Sequence, residues 1–313
     1  MLGMEKRRLG KTGLQVSVIG FGSAPVGYLD ESLANVERIL NLLLDAGVNL
    51  LDTAACYPHA EEMIGATVSH RRNEYYLVTK CGHQGDGLTE PEWSPELIEK
   101  SIDRSLRRLH TDYLDVVLLH SCDQSVLEQG DAVEALVKAR DAGKTRFIGY
   151  SGDNEAAAFA AQIPEFSVLQ TSVNICDQRN IDVALPKAVE HDLGVLAKRP
   201  LANAAWKAPG MQRGVYQSYS EPYSRRLAAM GIDPGLFGFN GLRNEEFPRL
   251  ALRFTLTVPG VHCALIGTTN PANALRNLEI AEEGPLPVKT YEAIRRAFRE
   301  AEKRSGTVWL GLT

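Results

Sequence analysis

The 313-residue sequence lacks long apolar runs, regularly paired cysteines and clusters of basic residues. No uninterrupted hydrophobic stretch reaches the roughly 18 residues that a membrane-spanning helix needs. Residues 1–8 carry four charged side chains and no apolar stretch, so they do not resemble a signal peptide. From these absences we expect neither a membrane partner nor secretion.

The five cysteines are scattered through the chain: Cys56, Cys81, Cys122, Cys176 and Cys263. An odd number without a disulfide framework indicates free thiols in a reducing compartment, so we expect a cytoplasmic protein. A metal site that combines Cys56, Cys81, Cys122 and His83 is an alternative. No Cys-x-x-Cys pair supports it, and no metal is expected.

Charge and composition are those of an ordinary globular protein. Hydrophobic residues make up 44% of the chain, which suffices for a large core, and the formal net charge is −5. The doublets Arg225-Arg226 and Arg295-Arg296 are isolated pairs, and no basic cluster interleaves with aromatic residues. Nucleic acid is therefore not an expected partner.

Strand-like and helix-like patterns alternate along almost the whole chain. After a short hairpin within residues 7–16, eight strand candidates follow at residues 18–22, 49–53, 75–80, 114–120, 146–151, 168–173, 194–198 and 264–267. We predict an α/β fold in which residues 1–313 form one (β/α)8 TIM barrel, with an N-terminal β-hairpin and a C-terminal helix. An open doubly wound sheet is the alternative, but Gly20-Phe21-Gly22 lacks the third glycine of a dinucleotide-binding turn.

Residues 202–245 interrupt this alternation after the seventh strand. The segment is rich in glycine and proline, and several aromatic residues lie between them. Its length is typical of functional or disordered connections, and the aromatic residues argue against disorder. We predict a long loop that covers the substrate side of the barrel, with a purely structural excursion as the alternative.

Three successive strand candidates end on ionisable residues, namely Asp52, Lys80 and His120, and Tyr57 follows Asp52 by five positions. The carboxyl ends of the strands of a parallel barrel meet at one mouth, where catalytic groups lie. Taken singly, each residue has an ordinary explanation, such as a helix cap, a solvated strand end or a packed histidine. Their joint placement predicts an active site.

These four side chains suit the delivery of a proton. The phenol of tyrosine has a pKa near 10, and a neighbouring ammonium lowers that pKa. A carboxylate paired with Lys80 would keep the ammonium charged and in place, while His120 would bind a substrate oxygen or assist proton transfer. The set predicts protonation of a carbonyl oxygen while a hydride reaches its carbon, or the reverse oxidation of an alcohol.

The sequence resembles the aldo-keto reductase family nearly from end to end. The stretches that carry the resemblance are RLGKTGL (8–14), VSVIGFG (16–22), LDTAACY (51–57), VTK (78–80) and LLHSCD (118–123). The resemblance implies a tetrad in which Tyr57 is the acid/base, Lys80 modulates its pKa, Asp52 pairs with Lys80 and His120 orients the substrate. It further implies a small-molecule carbonyl or sugar substrate, and we expect a monomer or small homo-oligomer.

The resemblance also implies a nicotinamide cofactor, extended across the barrel mouth without a Rossmann domain. NADPH is expected, with NADH as the alternative. The cofactor-binding residues that it indicates are Gly22, Ser23, Ser151, Gln170, Lys198, Arg199, Gly267, Thr268, Thr269, Asn273, Arg276 and Asn277. Among them, Ser151 and Gln170 would bind the carboxamide, Lys198 or Arg199 the pyrophosphate, and Arg276 the 2′-phosphate. Without the resemblance, Asn270-Pro271 is simply a helix cap.

The sequence departs from the family pattern at three places. Gly152 stands where many members have an asparagine that helps to bind the carboxamide. Lys198-Arg199-Pro200-Leu201 replaces an aromatic residue that stacks on the nicotinamide, and Gly267 replaces a basic residue found in some members. These departures leave ring stacking and the preference for NADPH over NADH open.

Two other functions remain as alternatives. A Schiff-base lyase would use Lys80 as a nucleophile and needs a lysine whose pKa is depressed. A regulatory module would hold the cofactor with little turnover.

Overall fold

A computed structural model describes residues 4–208 and 211–312 of the chain. Within them the strands are β1 (Lys6–Arg8), β2 (Gln15–Ser17), β3 (Ile19–Gly22), β4 (Leu50–Asp52), β5 (Tyr76–Cys81), β6 (Leu114–His120), β7 (Thr145–Ser151), β8 (Val168–Ser172), β9 (Gly194–Lys198) and β10 (Cys263–Ile266). β1 and β2 form an antiparallel hairpin, and the other eight strands form one closed parallel barrel in which β10 pairs with β3. The expected (β/α)8 barrel with an N-terminal hairpin is confirmed, and the open doubly wound sheet is excluded.

The helices surround the barrel and alternate with its strands along the chain. They are α1 (Ala24–Tyr28), α2 (Leu33–Asp45), α3 (Ala60–Val68), α4 (Pro95–Arg108), α5 (Gln124–Gln129), α6 (Asp131–Asp141), α7 (Asn154–Ala160), α8 (Arg179–Val183), α9 (Leu185–Glu190), α10 (Tyr216–Met230), α11 (Arg243–Thr257), α12 (Pro271–Glu282) and α13 (Val288–Ser305). The last of these is the expected C-terminal helix. In the described part of the chain, no helix has both the length and the apolar character needed to cross a membrane.

The hairpin closes the N-terminal end of the barrel. Leu9, Leu14 and Val16 are buried in one apolar cluster with side chains from the barrel strands, including Leu50 and Val116. This cluster fills the lower half of the barrel interior with hydrocarbon, because each strand turns alternate side chains inward. The upper half, at the carboxyl ends of the strands, holds buried polar residues instead.

One glycine permits this closure. Gly194 begins β9, and a β-carbon built there would lie 2.4 Å from Cγ of Leu9 and 3.0 Å from its carbonyl oxygen. Real carbon atoms do not approach so closely, so the hairpin reaches its place only because residue 194 has no side chain.

The connection after β9 is long, as expected, but it is not simply a loop. It contains the 15-residue helix α10, whose buried residues Ser220, Tyr223, Leu227 and Met230 recur at helical spacing. Pro222 within this helix made the segment look irregular in the sequence, because proline usually ends a helix. Trp206 in the same connection is buried and stacks on Phe247 with ring centroids 5.4 Å apart, so it packs rather than lines the mouth.

Candidate active site

Asp52 and Lys80 form a buried ion pair at the carboxyl ends of β4 and β5. Nζ of Lys80 donates to both carboxylate oxygens of Asp52 at 2.9 Å and to the carbonyl oxygen of Thr53 at 2.7 Å. The Lys80 side chain is 1% exposed and that of Asp52 is 7% exposed. All three ammonium hydrogens therefore have partners, which is what burial of a charged amine requires.

Gln170 and Ser151 extend this polar group across the barrel. Nε2 of Gln170 donates to Asp52 at 2.7 Å, and the hydroxyl of Ser151 donates to Oε1 of Gln170 at 3.1 Å. In the strand register Ser151 pairs with both His120 and Gln170, which brings three strands into one group. Sequence motifs did not indicate the Gln170–Asp52 contact, because it depends on the register of strands that lie 118 residues apart.

Tyr57 and His120 lie beside the ion pair. Nζ of Lys80 is 5.3 Å from the centroid of the Tyr57 ring, and the His120 ring contacts Tyr57 edge-on with centroids 5.8 Å apart. The loop that carries Tyr57 is fixed by backbone hydrogen bonds, in which the amide of Ala55 donates to the carbonyl of Lys80 at 3.0 Å. The structure thus brings Asp52, Tyr57, Lys80 and His120 together at one mouth.

The pKa of Tyr57 in the free protein departs from our expectation. Burial raises this pKa well above 10, and the negative charge of Asp52 adds to the rise. The lowering that we expected from Lys80 does not decide the pKa of Tyr57 in the free protein, because burial has the larger effect. Tyr57 is consequently a neutral phenol that holds its proton, which is the form that a proton donor needs.

Charge is disfavoured on His120 as well. Burial lowers the pKa of this imidazole well below 6.5, and the nearby cations Lys80, Lys198 and Arg199 and the His83 ring add to the effect. Nδ1 of His120 lies 3.3 Å from Sγ of Cys56. The ring is therefore a neutral imidazole that carries a single N–H.

A second imidazole lies on the other side of His120. The His83 ring centroid is 5.4 Å from that of His120 and 4.8 Å from that of Trp93. Nδ1 of His83 is within 3.1 Å of the Glu92 carboxylate. At the opposite side of the site, Tyr28 packs edge-on against Tyr57 with centroids 5.7 Å apart. The rings of Tyr28 and His120 thus flank Tyr57, and the family motifs did not indicate His83 or Tyr28 as part of this site.

Lys198, one of the two residues expected at the pyrophosphate, is held by an acidic neighbour. Its ammonium forms a 2.8 Å ion pair with the buried carboxylate of Asp153. Although burial alone would raise the pKa of Asp153, the Lys198 charge and a hydrogen bond from the Ser172 amide lower it below its usual value. The charged carboxylate of Asp153 thus fixes the position of the Lys198 ammonium at the rim of the barrel.

Arg199 remains a cation at the mouth. Its guanidinium lies over the ring of Tyr219 at 5.3 Å and donates to the carbonyl oxygen of Leu312. The backbone around it is unusual, because Arg199, Ala202, Asn203 and Ala204 all have positive φ angles between 44° and 58°. Such angles are costly for residues other than glycine and are concentrated at functional sites.

The segment around Leu312 also reaches this rim. Its amide donates to Oδ2 of Asp177 at 3.0 Å, and the amide of Gly311 donates to the side-chain oxygen of Asn154 at 2.6 Å. Burial raises the pKa of Asp177 to about 6. No sequence motif signalled these contacts, because they join a short segment to loops far away along the chain.

Gly152, one of the departures from the family pattern, has a local cause. A β-carbon at this position would lie 2.3 Å from the hydroxyl oxygen of Tyr150, which donates to the carbonyl of Cys122. The large buried Tyr150 therefore takes the space that a side chain at position 152 would need.

Residues at the ends of β3 and β10 suit a polar ligand. Ser23 is fully buried, and its hydroxyl has no hydrogen-bond partner in the described part of the chain. Gly22 pairs with Asp52 in the strand register, and a β-carbon at position 22 would lie 3.8 Å from the amide nitrogen of Gly267, which is ordinary contact. The loop of Gly267, Thr268 and Thr269 leads into α12, where the side chain of Asn270 accepts from the amide of Ala272 at 2.9 Å. Asn270 is thus the helix cap that the sequence alone indicates, at the start of a 12-residue helix.

The three predicted contacts on α12 do not share one environment. Asn273 and Arg276 are exposed, and a guanidinium nitrogen of Arg276 lies 3.8 Å from the Glu245 carboxylate. Asn277 is only 5% exposed and lines a small cavity with Ile19 and Leu43. Of the three, Asn273 and Arg276 are the ones accessible to a ligand at the surface.

No group of three or more potential metal ligands occurs among residues 4–208 and 211–312. Cys81 and Cys122 are buried, and Cys56 contacts His120 rather than other thiols.

Comparison with known proteins agrees with this geometry. A model described as the Aldo/keto reductase family matches residues 18–299. The chain is 28% identical over 302 residues to L-galactose dehydrogenase of Arabidopsis thaliana, covering 90% of each chain. It is 26% identical over 310 residues to the uncharacterized oxidoreductase YqkF of Bacillus subtilis (strain 168), covering 93% of this chain and 96% of that protein.

A solved structure shows the same fold. The holo form of aldo-keto reductase AKR11C1 from Bacillus halodurans aligns with a TM-score of 0.78 at 24% sequence identity, covering 94% of this chain and 96% of that chain. Since the family model spans nearly the whole barrel, the chain belongs to the aldo/keto reductase family of oxidoreductases.

Proposed function

We propose that the protein is an NAD(P)-dependent oxidoreductase that reduces an aldehyde, ketone or sugar carbonyl to an alcohol, or catalyses the reverse reaction. The observation that carries the proposal is the neutral Tyr57 phenol beside the Asp52–Lys80 pair and the His120 ring. A carbonyl compound that accepts a hydride also needs a proton on its oxygen, and the Tyr57 hydroxyl can donate that proton from a fixed position.

Each residue of the tetrad has a separate task. Tyr57 holds the proton that passes to the carbonyl oxygen, and in the reverse direction it takes the alcohol proton. Lys80 places a positive charge 5.3 Å from the Tyr57 ring, which stabilises the phenolate formed by that transfer. Asp52 holds the Lys80 side chain in place through two hydrogen bonds. The neutral His120 donates a hydrogen bond to the substrate oxygen and so orients it.

A nicotinamide cofactor, when bound, would supply the hydride. Ser23 and the loop of Gly267, Thr268 and Thr269 at the start of α12 would hold its polar groups, because they offer an unpartnered buried hydroxyl and a helix N-terminus. Arg199 would bind a phosphate, and Ser151 and Gln170 the carboxamide. NADPH is the proposed cofactor, and Arg276 would bind its 2′-phosphate. NADH is the alternative.

The substrate is proposed to be a small carbonyl compound, and a sugar is the first class to test. The similarity to a plant L-galactose dehydrogenase supports this choice. The aromatic residues Tyr28 and Trp93 near the site are suited to packing against the apolar faces of a sugar ring. A monomer or small homo-oligomer in the cytoplasm remains the prediction for its physical state.

Replacement of Tyr57 by Phe tests the proposal. We expect Tyr57→Phe to lower turnover by a factor on the order of 10² or more while cofactor binding is kept, because only the proton donor is removed. Turnover is read at 340 nm with NADPH and NADH against a panel of aldehydes, ketones and sugars, and cofactor binding by fluorescence titration.

Tyr113→Phe is the matched control, because Tyr113 precedes β6 at the opposite end of the barrel. Equal turnover in Tyr57→Phe and the wild type would remove Tyr57 from the mechanism. Cofactor binding without turnover of any substrate in the wild type would instead favour the regulatory module.

The Schiff-base alternative fits the geometry poorly. A nucleophilic lysine needs a free lone pair, whereas Nζ of Lys80 makes three hydrogen bonds, two of them to a carboxylate. Absence of borohydride trapping of a carbonyl compound on Lys80 would agree with this reasoning.

A further inference from the structure

Cys56 lies next to the imidazole of His120, although the two residues belong to different elements. Its sulfur is 3.3 Å from Nδ1 of His120, within hydrogen-bond distance for sulfur. The neighbours of Cys56 in the chain are both held in place. The amide of Ala55 donates to the carbonyl of Lys80, and the amide of Tyr57 donates to the carbonyl of Ala54, each at 3.0 Å. The sulfur is therefore positioned by the same loop that positions the proton donor.

A neutral imidazole has one N–H and one lone pair, and the partner of one nitrogen decides which form is present. A carbonyl oxygen can only accept hydrogen bonds, so an orienting histidine must present an N–H to it. If the hydrogen were on Nδ1, the lone pair of Nε2 would meet the lone pairs of the substrate oxygen. The reaction therefore requires the form with the hydrogen on Nε2.

We propose that Cys56 is a positioning residue of this site: its thiol donates to Nδ1 of His120 and thereby keeps the ring hydrogen on Nε2. The inference rests on the proposed carbonyl reduction, in which His120 hydrogen-bonds the substrate oxygen. Burial raises the pKa of Cys56, so the sulfur carries the hydrogen that this role needs. A thiolate would instead draw the hydrogen of the ring to Nδ1.

The other groups that face His120 do not replace this contact. Tyr57 and His83 approach the ring edge-on, with centroids 5.8 and 5.4 Å away, and His83 is already paired with Glu92 through Nδ1. Lys80, Lys198 and Arg199 act on the ring by their positive charge, which disfavours a second ring proton. Within the described residues, Cys56 is the only hydrogen-bond partner of the His120 ring.

Nitrogen-15 NMR of histidine-labelled protein tests the proposal without any substrate. The signals of His120 are assigned by their loss in His120→Gln. We expect the Nε2–H form in the wild type and in Cys56→Ser, which keeps a donor. In Cys56→Ala, which has none, we expect a mixture that contains the Nδ1–H form. Cys176→Ala, at a buried thiol elsewhere in the fold, should leave the wild-type pattern unchanged.

Kinetics then show whether the tautomer matters. We expect kcat/KM of Cys56→Ala for the carbonyl substrate to fall about tenfold, as for the loss of one hydrogen bond, with cofactor affinity unchanged and Cys56→Ser restoring most of the rate. An Nδ1–H form in the wild type, or no change of tautomer or rate in Cys56→Ala, would overturn the proposal. A wild type without turnover would refute the proposed function instead, and the NMR result would still report on the contact.

Discussion

The buried ion pair of Asp52 and Lys80 shows how far single residues could be read from the sequence. Both were predictable, because each ends a strand of a parallel barrel and such ends meet at one mouth. The hydrogen bond from Gln170 to Asp52 was not, since it depends on strand register. Nor was the direction of the Tyr57 pKa shift, because the burial that raises this pKa is a property of the folded chain and not of the motif.

The protonation states of Tyr57 and His120 predict the pH dependence of the reaction. Between about pH 7 and 9, Tyr57 keeps its proton and His120 stays neutral, because the two pKa values are shifted above and below this window. We expect kcat/KM for carbonyl reduction to be nearly flat there. Alcohol oxidation should rise with pH, since it needs the phenolate. Initial rates in both directions at saturating cofactor measure this, and a break near pH 7 in the reduction profile would contradict the neutral His120.

At the scale of elements, the strands were predicted better than the connection after β9. Strand bounds differ from the prediction by a residue or so, because buried apolar runs mark strands in a barrel. Helix α10 was missed, because Pro222 and the surrounding glycines obscured the helical spacing of Tyr223, Leu227 and Met230. Between β8 and β9 the chain forms two short helices, α8 and α9, with Pro186 in the first turn of the second.

Helix α12 carries a prediction about cofactor choice. Arg276→Ala should weaken NADPH binding by about tenfold and NADH binding by less than about twofold, because only NADPH has the 2′-phosphate that a guanidinium can bind. Fluorescence titration with both cofactors measures the difference. Arg296→Ala, on an exposed part of α13, is the control. Equal weakening of both cofactors would show that Arg276 does not recognise that phosphate, and that its contact with Glu245 serves the fold alone.

For the whole molecule, the apolar cluster formed by the hairpin and the barrel strands provides much of the packing in the barrel interior. Leu9 is fully buried there, so Leu9→Ala should lower the free energy of unfolding by about 2–5 kcal/mol through lost contacts and a cavity. Urea titration followed by circular dichroism measures the change. Leu236→Ala, at a residue 72% exposed, should change stability by less than about 0.5 kcal/mol. Similar effects of both substitutions would mean that the hairpin does not contribute to the core.

The vertical division of the barrel interior has a practical consequence for protein engineering. Apolar side chains from the hairpin and from the N-terminal ends of the strands fill the lower half. The ionisable groups and the loops around them occupy the upper half, at the carboxyl ends of the strands. Libraries that aim at new substrates can therefore vary the rim around Tyr28, His83, Trp93 and Tyr219 while the lower half is kept constant. An inactive variant from such a library should usually still be folded, so its loss of activity reports on substrate recognition.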